Sequence, residues 1–392
     1  MRFHSHLHTA VSIIEKYNGQ EPLAVFLKKF FAADKKYGSG DRRNISALCY
    51  AYYRLGKTMM DDGTEERIIK AVFLCRDQPL PFLAALRPEW NDRIHLPLGE
   101  KWNLCGMAGE MTGIFPWHDI LSEAIDVKAF NSSFLRQPDL FLRVRPGRET
   151  VVEEQLNNAG IAYQWVHDHA IALPNASKIE EVIHLNKDAV VQDLRSQSVL
   201  DALPGFSGAF TPPIKVWDCC AASGGKSILL QDRISQKIDL TVSDIRQSIL
   251  ANLSKRFAEA GIRGYRPFVA DLSSADTVVS KEAYDLIICD APCTGSGTWS
   301  RTPEQLYFFN TASIDSFSSL QKKITGNIIP ALKEGGILVY ITCSVFRQEN
   351  EDITAAVSAQ YPFMKLLEQK TLPGYTERAD TMFAAFFRKA TS

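Results

Sequence analysis

Two cysteines of this chain stand where a thiol could do chemistry. Cys293 lies in Asp290-Ala-Pro-Cys-Thr-Gly-Ser-Gly-Thr298, just past the apolar run Tyr284 to Cys289, and Cys343 follows the run Ile337 to Thr342. Each apolar run reads as a buried strand. In an open α/β sheet ligands bind outside the carboxyl ends of the strands, so both thiols and the Asp290 carboxylate are expected in one crevice. Two thiols and a carboxylate suit covalent catalysis on a pyrimidine. Carbon 5 of cytosine is a poor nucleophile until a thiolate adds at carbon 6 and makes the ring an enamine. A free thiol has a pKa of about 8.5, so the attacking sulfur needs a positive field or hydrogen-bond donors. Asp290 would hold the ring at nitrogen 3, and a second group would assist release.

The strand Ile214 to Asp218 runs into Cys219, Cys220, Ala221, Ala222, Ser223, Gly224, Gly225 and Lys226, small residues that let a backbone approach a ligand before a helix begins. A phosphate loop needs glycine where Cys220 stands, which excludes an ATPase reading. Asp244 and Asp271 close the next two strands, where carboxylates meet a ribose and an adenine amino group. Either alone could cap a helix, but together they favour an adenosine-bearing ligand.

The elements that must position these residues alternate from Ile214 onward. Strands are predicted over Ile214 to Asp218, Asp239 to Ser243, Arg266 to Ala270, Tyr284 to Cys289 and Ile337 to Thr342. Helical stripes occur at Ile249, Leu250, Leu253, Phe257 and Ala260, and at Leu320, Ile324, Ile328 and Leu332, with Pro330 ending the second early. The run Met382 to Arg388 is expected to close the sheet's edge. This is an α/β pattern, a Rossmann-like sheet with helices on both faces. Before it, Leu140 to Val144, Val151 to Ala159 and Ala170 to Leu173 predict a small α/β unit, and Thr9 to Ala124 carries helical spacing throughout. The predicted boundaries are 1–127, 128–188 and 189–392.

The 392 residues carry a net charge of −1 and eight cysteines without a CxxC pair or metal-ligand spacing. Free thiols, no metal and a cytoplasmic location are expected, since no uncharged stretch is long enough for a membrane helix. Phosphate capture requires a local basic surface. The best candidate is Lys28, Lys29, Lys35, Lys36, Arg42, Arg43, Arg54 and Lys57, although composition alone favours a solvated charged face.

Taken together, Val191-Gln-Asp-Leu-Arg-Ser-Gln197, Asp218 to Lys226, Asp290-Ala-Pro-Cys-Thr-Gly295, Gly297-Thr-Trp-Ser-Arg301, Tyr340-Ile-Thr-Cys-Ser344 and Glu349-Asn350 resemble the RsmB and NSUN type of RNA cytosine-5 methyltransferases. The resemblance implies a class I methyltransferase domain using S-adenosyl-L-methionine. It implies a nucleophilic Cys343, a releasing Cys293, Asp290 and Lys226 near the base, and donor contacts from residues 219–226, Asp244, Asp271 and Asp290. Ser223 stands where many relatives have proline, and an arginine is common near Ile249. More faintly, Gly38-Ser-Gly-Asp-Arg-Arg43 is similar to a helical antiterminator-like RNA-binding domain, and Leu142-Arg-Val-Arg145 to an RRM-like unit. The implied substrate is small-subunit ribosomal RNA, free or in an assembling particle, acted on by a monomer. Trp299 and Arg301 could stack on the base or steer its phosphate, or serve ordinary packing. Three rivals remain: Cys293 as attacker, as in DNA cytosine-5 methyltransferases; a non-catalytic RNA-binding assembly factor; and tRNA as substrate.

Overall fold

The computed structural model describes residues 2–34, 36–207, 210–274 and 283–391. They form two compact units. The first comprises 1–119, 126–137 and 298–310, and the second 120–125, 138–297 and 311–392. Residues 298–310, expected with the α/β domain, thus belong to the helical unit, and 120–125 to the other.

The first unit is helical because its apolar residues recur every three or four positions. In Arg2–Lys16 the buried positions are His6, Leu7, Ala10, Ile13 and Ile14, a single stripe. Ser39–Arg54 and Thr64–Cys75 bury similar stripes. Pro303–Phe308 adds Leu306 to the core, with Tyr307 tilted against Tyr52 and edge-on to Tyr53. The predicted basic surface is smaller than its sequence suggests. Arg54 is buried, donating to the carbonyls of Phe134 and Arg136, and Lys57 donates to the Tyr307 carbonyl at 2.6 Å. Lys28, Lys29, Lys36, Arg42 and Arg43 are exposed, while Lys35 lies outside the described residues.

The second unit holds two sheets. The smaller contains β1 (Leu140–Val144), β2 (Gln164–His167), β3 (Ala170–Leu173) and β4 (Ala189–Val191), in the order β2-β3-β1-β4. Its pairings are all antiparallel, and β4, which lies just past the boundary expected at 188/189, pairs with β1 before it. Arg143 lies on β1 and Arg145 just past its end. Both pair with buried Asp232 on the helix Gly225–Arg233, and Arg145 also donates to the Ala260 carbonyl at 2.7 Å. A buried cation must be paired, and these are spent on holding the small sheet to that helix.

The larger sheet comprises β5 (Ile214–Asp218), β6 (Ile238–Asp244), β7 (Arg266–Val269), β8 (Tyr284–Asp290), β9 (Leu332–Thr342), β10 (Met364–Leu372) and β11 (Met382–Lys389). Its order is β10-β11-β9-β8-β5-β6-β7. β5 to β9 are parallel, and β11 runs antiparallel between β9 and β10. The 382–388 run is therefore interior, and β10 is the edge. Leu332, expected on a helix, begins β9, because Pro330 sits in a tight turn after the helix Ala312–Ile328. One face packs Leu229, Leu253 and Phe257 on Val216 and Ile288; the other packs Ile324 and Ile328 on Trp217, Tyr284 and Tyr340. Among the described residues no helix is long and apolar enough to cross a membrane.

Candidate active site

The strand order turns outward in both directions from β5 and β8, which leaves a crevice past their carboxyl ends. Into it β8 delivers Asp290 and β9 delivers Cys343. The register places Asp290 beside Ile341, and the Ala291 amide donates to the Ile341 carbonyl at 2.8 Å, so the two exits leave together. The Sγ atoms of Cys293 and Cys343 are 3.4 Å apart, and both residues are half-buried. Contact with the Cys343 sulfur, reinforced by burial, pushes the Cys293 thiol well up, which keeps it protonated.

Lys226 is buried and donates to Asp290 Oδ2 at 2.9 Å and to Ser196 Oγ at 2.8 Å. Burial alone would depress its ammonium, but Asp290 beside it outweighs that and raises it, with Cys343 and Asp218 adding to the field. The cation is thus fixed between the carboxylate and the Ser196 hydroxyl. Ser196 was not legible as a site residue; only its place in the Gln-Asp-Leu-Arg-Ser-Gln segment marks it.

The loop after β5 is built to approach a ligand. Gly224 has φ 83° and opens the helix Gly225–Arg233, and Ala222 also adopts a left-handed φ of 46°. Space in front of Gly225 is open: a Cβ there would meet nothing within 4 Å. Asp244 Oδ2 accepts the Ala222 amide at 3.1 Å and Oδ1 accepts the Arg246 amide at 2.9 Å, so this carboxylate braces the loop. Asp271 is exposed and accepts the Ser273 hydroxyl and amide, which draws its carboxyl below the usual range. The departure at Ser223 is met by Arg256, which donates to the Ser223 carbonyl at 3.1 Å and to its Oγ at 2.7 Å. Asp218, overlooked as more than a motif boundary, is fully buried. Ser227 Oγ donates to its Oδ2, its Oδ1 has no partner, and burial raises its pKa to about 7.

Cys219, Cys220 and Cys289 gather three sulfurs within 4.8 Å of one another, a cluster that linear spacing did not reveal. It arises because β5 and β8 are parallel neighbours, and Cys219 and Cys289 pack in the same apolar core as Trp217 and Tyr340. Trp299 is buried in the helical unit, 4.6 Å from the Phe309 ring and 6.0 Å from Phe115, which assigns it to packing.

Residues 212–384, which carry this crevice, match the family model described as 16S rRNA methyltransferase RsmB/F. The matched span is less than half of the chain. Curated relatives include Ribosomal RNA small subunit methyltransferase B of Yersinia pseudotuberculosis serotype O:1b and of Yersinia pestis bv. Antiqua, each 32% identical over 185 residues. That match covers 46% of this chain and 41% of the relatives, so it spans less than half of their length. Among solved structures, PH0851 superposes with a TM-score of 0.70 at 18% identity over 98% of both chains. NSun6 from Pyrococcus horikoshii with SFG gives 0.58 at 16% identity, over 68% of this chain and 95% of that one. These likenesses show the fold. The open loop at Gly225, with the orphaned Asp218 oxygen, fits a polar ligand there.

Proposed function

We propose that the chain is an S-adenosylmethionine-dependent RNA cytosine-5 methyltransferase acting in the cytoplasm on small-subunit ribosomal RNA. The observation that carries this reading is the pair of sulfurs at 3.4 Å beside the Lys226–Asp290 ion pair. Cys343 adds through sulfur to carbon 6 of an unpaired or flipped cytosine, forming a C–S bond whose electron demand runs to nitrogen 3. Asp290 binds at nitrogen 3 and shares a proton there, and Lys226 keeps that carboxylate oriented. Residues 219–226 with Asp244, Asp271 and Asp290 would hold the donor, which would supply an electrophilic methyl group for carbon 5. Carbon 5 then loses its proton to a solvent base as the C–S bond breaks, which restores the aromatic ring and frees the Cys343 thiolate, and the protonated Cys293 thiol assists by hydrogen-bonding the departing sulfur 3.4 Å away. The helical unit, with its exposed Lys28, Lys29, Lys36, Arg42 and Arg43, supplies phosphate contacts.

RNA containing 5-fluorocytosine tests the assignment, because fluorine at carbon 5 blocks release. The covalent adduct is expected with the native chain, absent with Cys343→Ala, and retained or accumulated with Cys293→Ala. The opposite pattern would make Cys293 the attacker. No adduct and no 5-methylcytosine in any RNA would leave a binding factor on a methyltransferase fold. Bisulfite mapping of cellular RNA with and without the gene names the target, a ribosomal or a transfer RNA.

A further inference from the structure

Glu349 is fully buried, yet both of its oxygens are satisfied. Oε1 accepts the Thr294 amide at 2.9 Å and the Gln321 Nε2 at 3.0 Å; Oε2 accepts the Thr294 hydroxyl at 2.6 Å and the Ser344 hydroxyl. Thr294 follows Cys293 and Ser344 follows Cys343, so one carboxylate grips the residue next to each thiol. Gln321 also donates to the Pro292 carbonyl at 2.9 Å, which holds the chain on the other side of Cys293. The neighbouring Asn350 accepts the Thr342 hydroxyl at 2.5 Å and donates to the Ser344 carbonyl at 2.9 Å, bracketing Cys343 in the same way. A bridge closes the ring: Ser296 Oγ lies 3.2 Å from Ser344 Oγ and accepts the Val345 amide at 2.9 Å.

We propose that Glu349 is a positioning residue that sets the separation of the two thiols and places its charge beside the Cys293 loop. For the second role the inference rests on the methyltransferase reading; the first stands on geometry alone. Apolar packing could fill the same space but has no direction, whereas four donors converging on one carboxylate fix two loops against each other in a single register. The titratable groups around Cys293 are Cys343, Glu349 and Tyr340 of β9, whose hydroxyl donates to the Glu349 carbonyl at 2.7 Å. Cys343 and Glu349 each push the Cys293 thiol upward.

The test uses the full chain with Glu349→Ala and Glu349→Gln. The first readout is the equilibrium constant for a Cys293–Cys343 disulfide against a glutathione buffer, with the cross-linked peptide identified by mass spectrometry. Two protein thiols are oxidised as oxidised glutathione takes up two electrons and two protons, and no RNA is involved. The alanine variant is expected to lower that constant about tenfold or more, through loss of the buried acceptor. The glutamine variant should stay within about threefold, since its oxygen serves the two N–H donors and its amide can donate to the two hydroxyls, which also accept. The second readout is the pH profile of kcat: in Glu349→Gln the alkaline limb moves to lower pH with KM unchanged, because Cys293 loses its negative neighbour. Disulfide formation in a folded Glu349→Ala equal to the native chain's would overturn the positioning role. Should the alanine variant not fold, a loss in Glu349→Gln as large as tenfold would do the same. A pH profile of Glu349→Gln superimposing on the native one would remove the electrostatic role. If the native chain methylates no RNA, the functional reading fails while the disulfide readout still judges Glu349.

Discussion

Two groups of cysteines lie at the carboxyl ends of neighbouring strands, one on β5 and β8 and the other on β8 and β9, and their surroundings differ in kind. Cys219, Cys220 and Cys289 bring three sulfurs within 4.8 Å, two of them in the apolar core with Trp217, Tyr284 and Tyr340. Cys293 and Cys343 are only two, half-buried, and flanked by Thr294, Ser296, Ser344, Glu349 and Asn350. Closeness of sulfur to sulfur does not distinguish them. What does is the polar scaffold that fixes each loop and the solvent-reachable face that a substrate needs. A thiol in an oily core behaves as a small hydrophobe, and one held by directional bonds at the mouth of a crevice is arranged for chemistry.

That contrast is open to attack on several fronts. The widest gap is expected between Cys343→Ala, which should lower 5-methylcytosine formation at least ~10⁴-fold, and Cys289→Ala, which should leave the rate within about threefold while costing roughly 1 to 2 kcal/mol of stability. Single-turnover methylation and urea melts measure the two; equal loss of rate in both would erase the distinction. Next, Asp290→Asn should slow the reaction ~10² to 10³-fold at neutral pH, since the amide keeps the shape and loses the shared proton. A smaller effect concerns Asp218, whose folded pKa of about 7 lies above its unfolded value. The folded chain therefore holds the extra proton between those values, and stability from this group falls as pH rises from about 4 to 7, by on the order of 4 kcal/mol. Asp218→Asn should flatten that slope in melts taken across the range, and an unchanged slope would refute the assignment. Last, iodoacetamide followed by peptide mapping should label the half-buried Cys343 several-fold faster than the fully buried Cys219. Arg42→Glu with Arg43→Glu should weaken RNA binding by about tenfold at moderate salt and lower the salt dependence.

Much of the crevice was readable in the sequence because its residues follow strands of unbroken apolar character. Asp290, Cys293 and Cys343 sit past β8 and β9, and Lys226 opens the helix after β5; each place is fixed by local pattern. β10 escaped notice because Lys365, Glu368, Gln369 and Lys370 give an edge strand no apolar signature. The pairing of Arg143 and Arg145 was not legible, because a charge says nothing of its partner and Asp232 lies far along the chain. Ser196 and Arg256 were missed for the same reason: their bonds to Lys226 and Ser223 join segments that only tertiary packing brings together. Glu349 was legible as part of a motif, but its four donors come from three separate stretches of chain.

Gly297 carries a consequence of its own. Its amide donates to the Cys343 carbonyl at 2.8 Å and its carbonyl accepts the Thr381 amide at 3.0 Å, while a Cβ would come to 2.2 Å from the Thr381 carbonyl. Main chain is pressed here against main chain on both sides, and no side-chain rotation can relieve the crowding. The mouth of the crevice therefore hinges on a position that admits hydrogen and nothing larger.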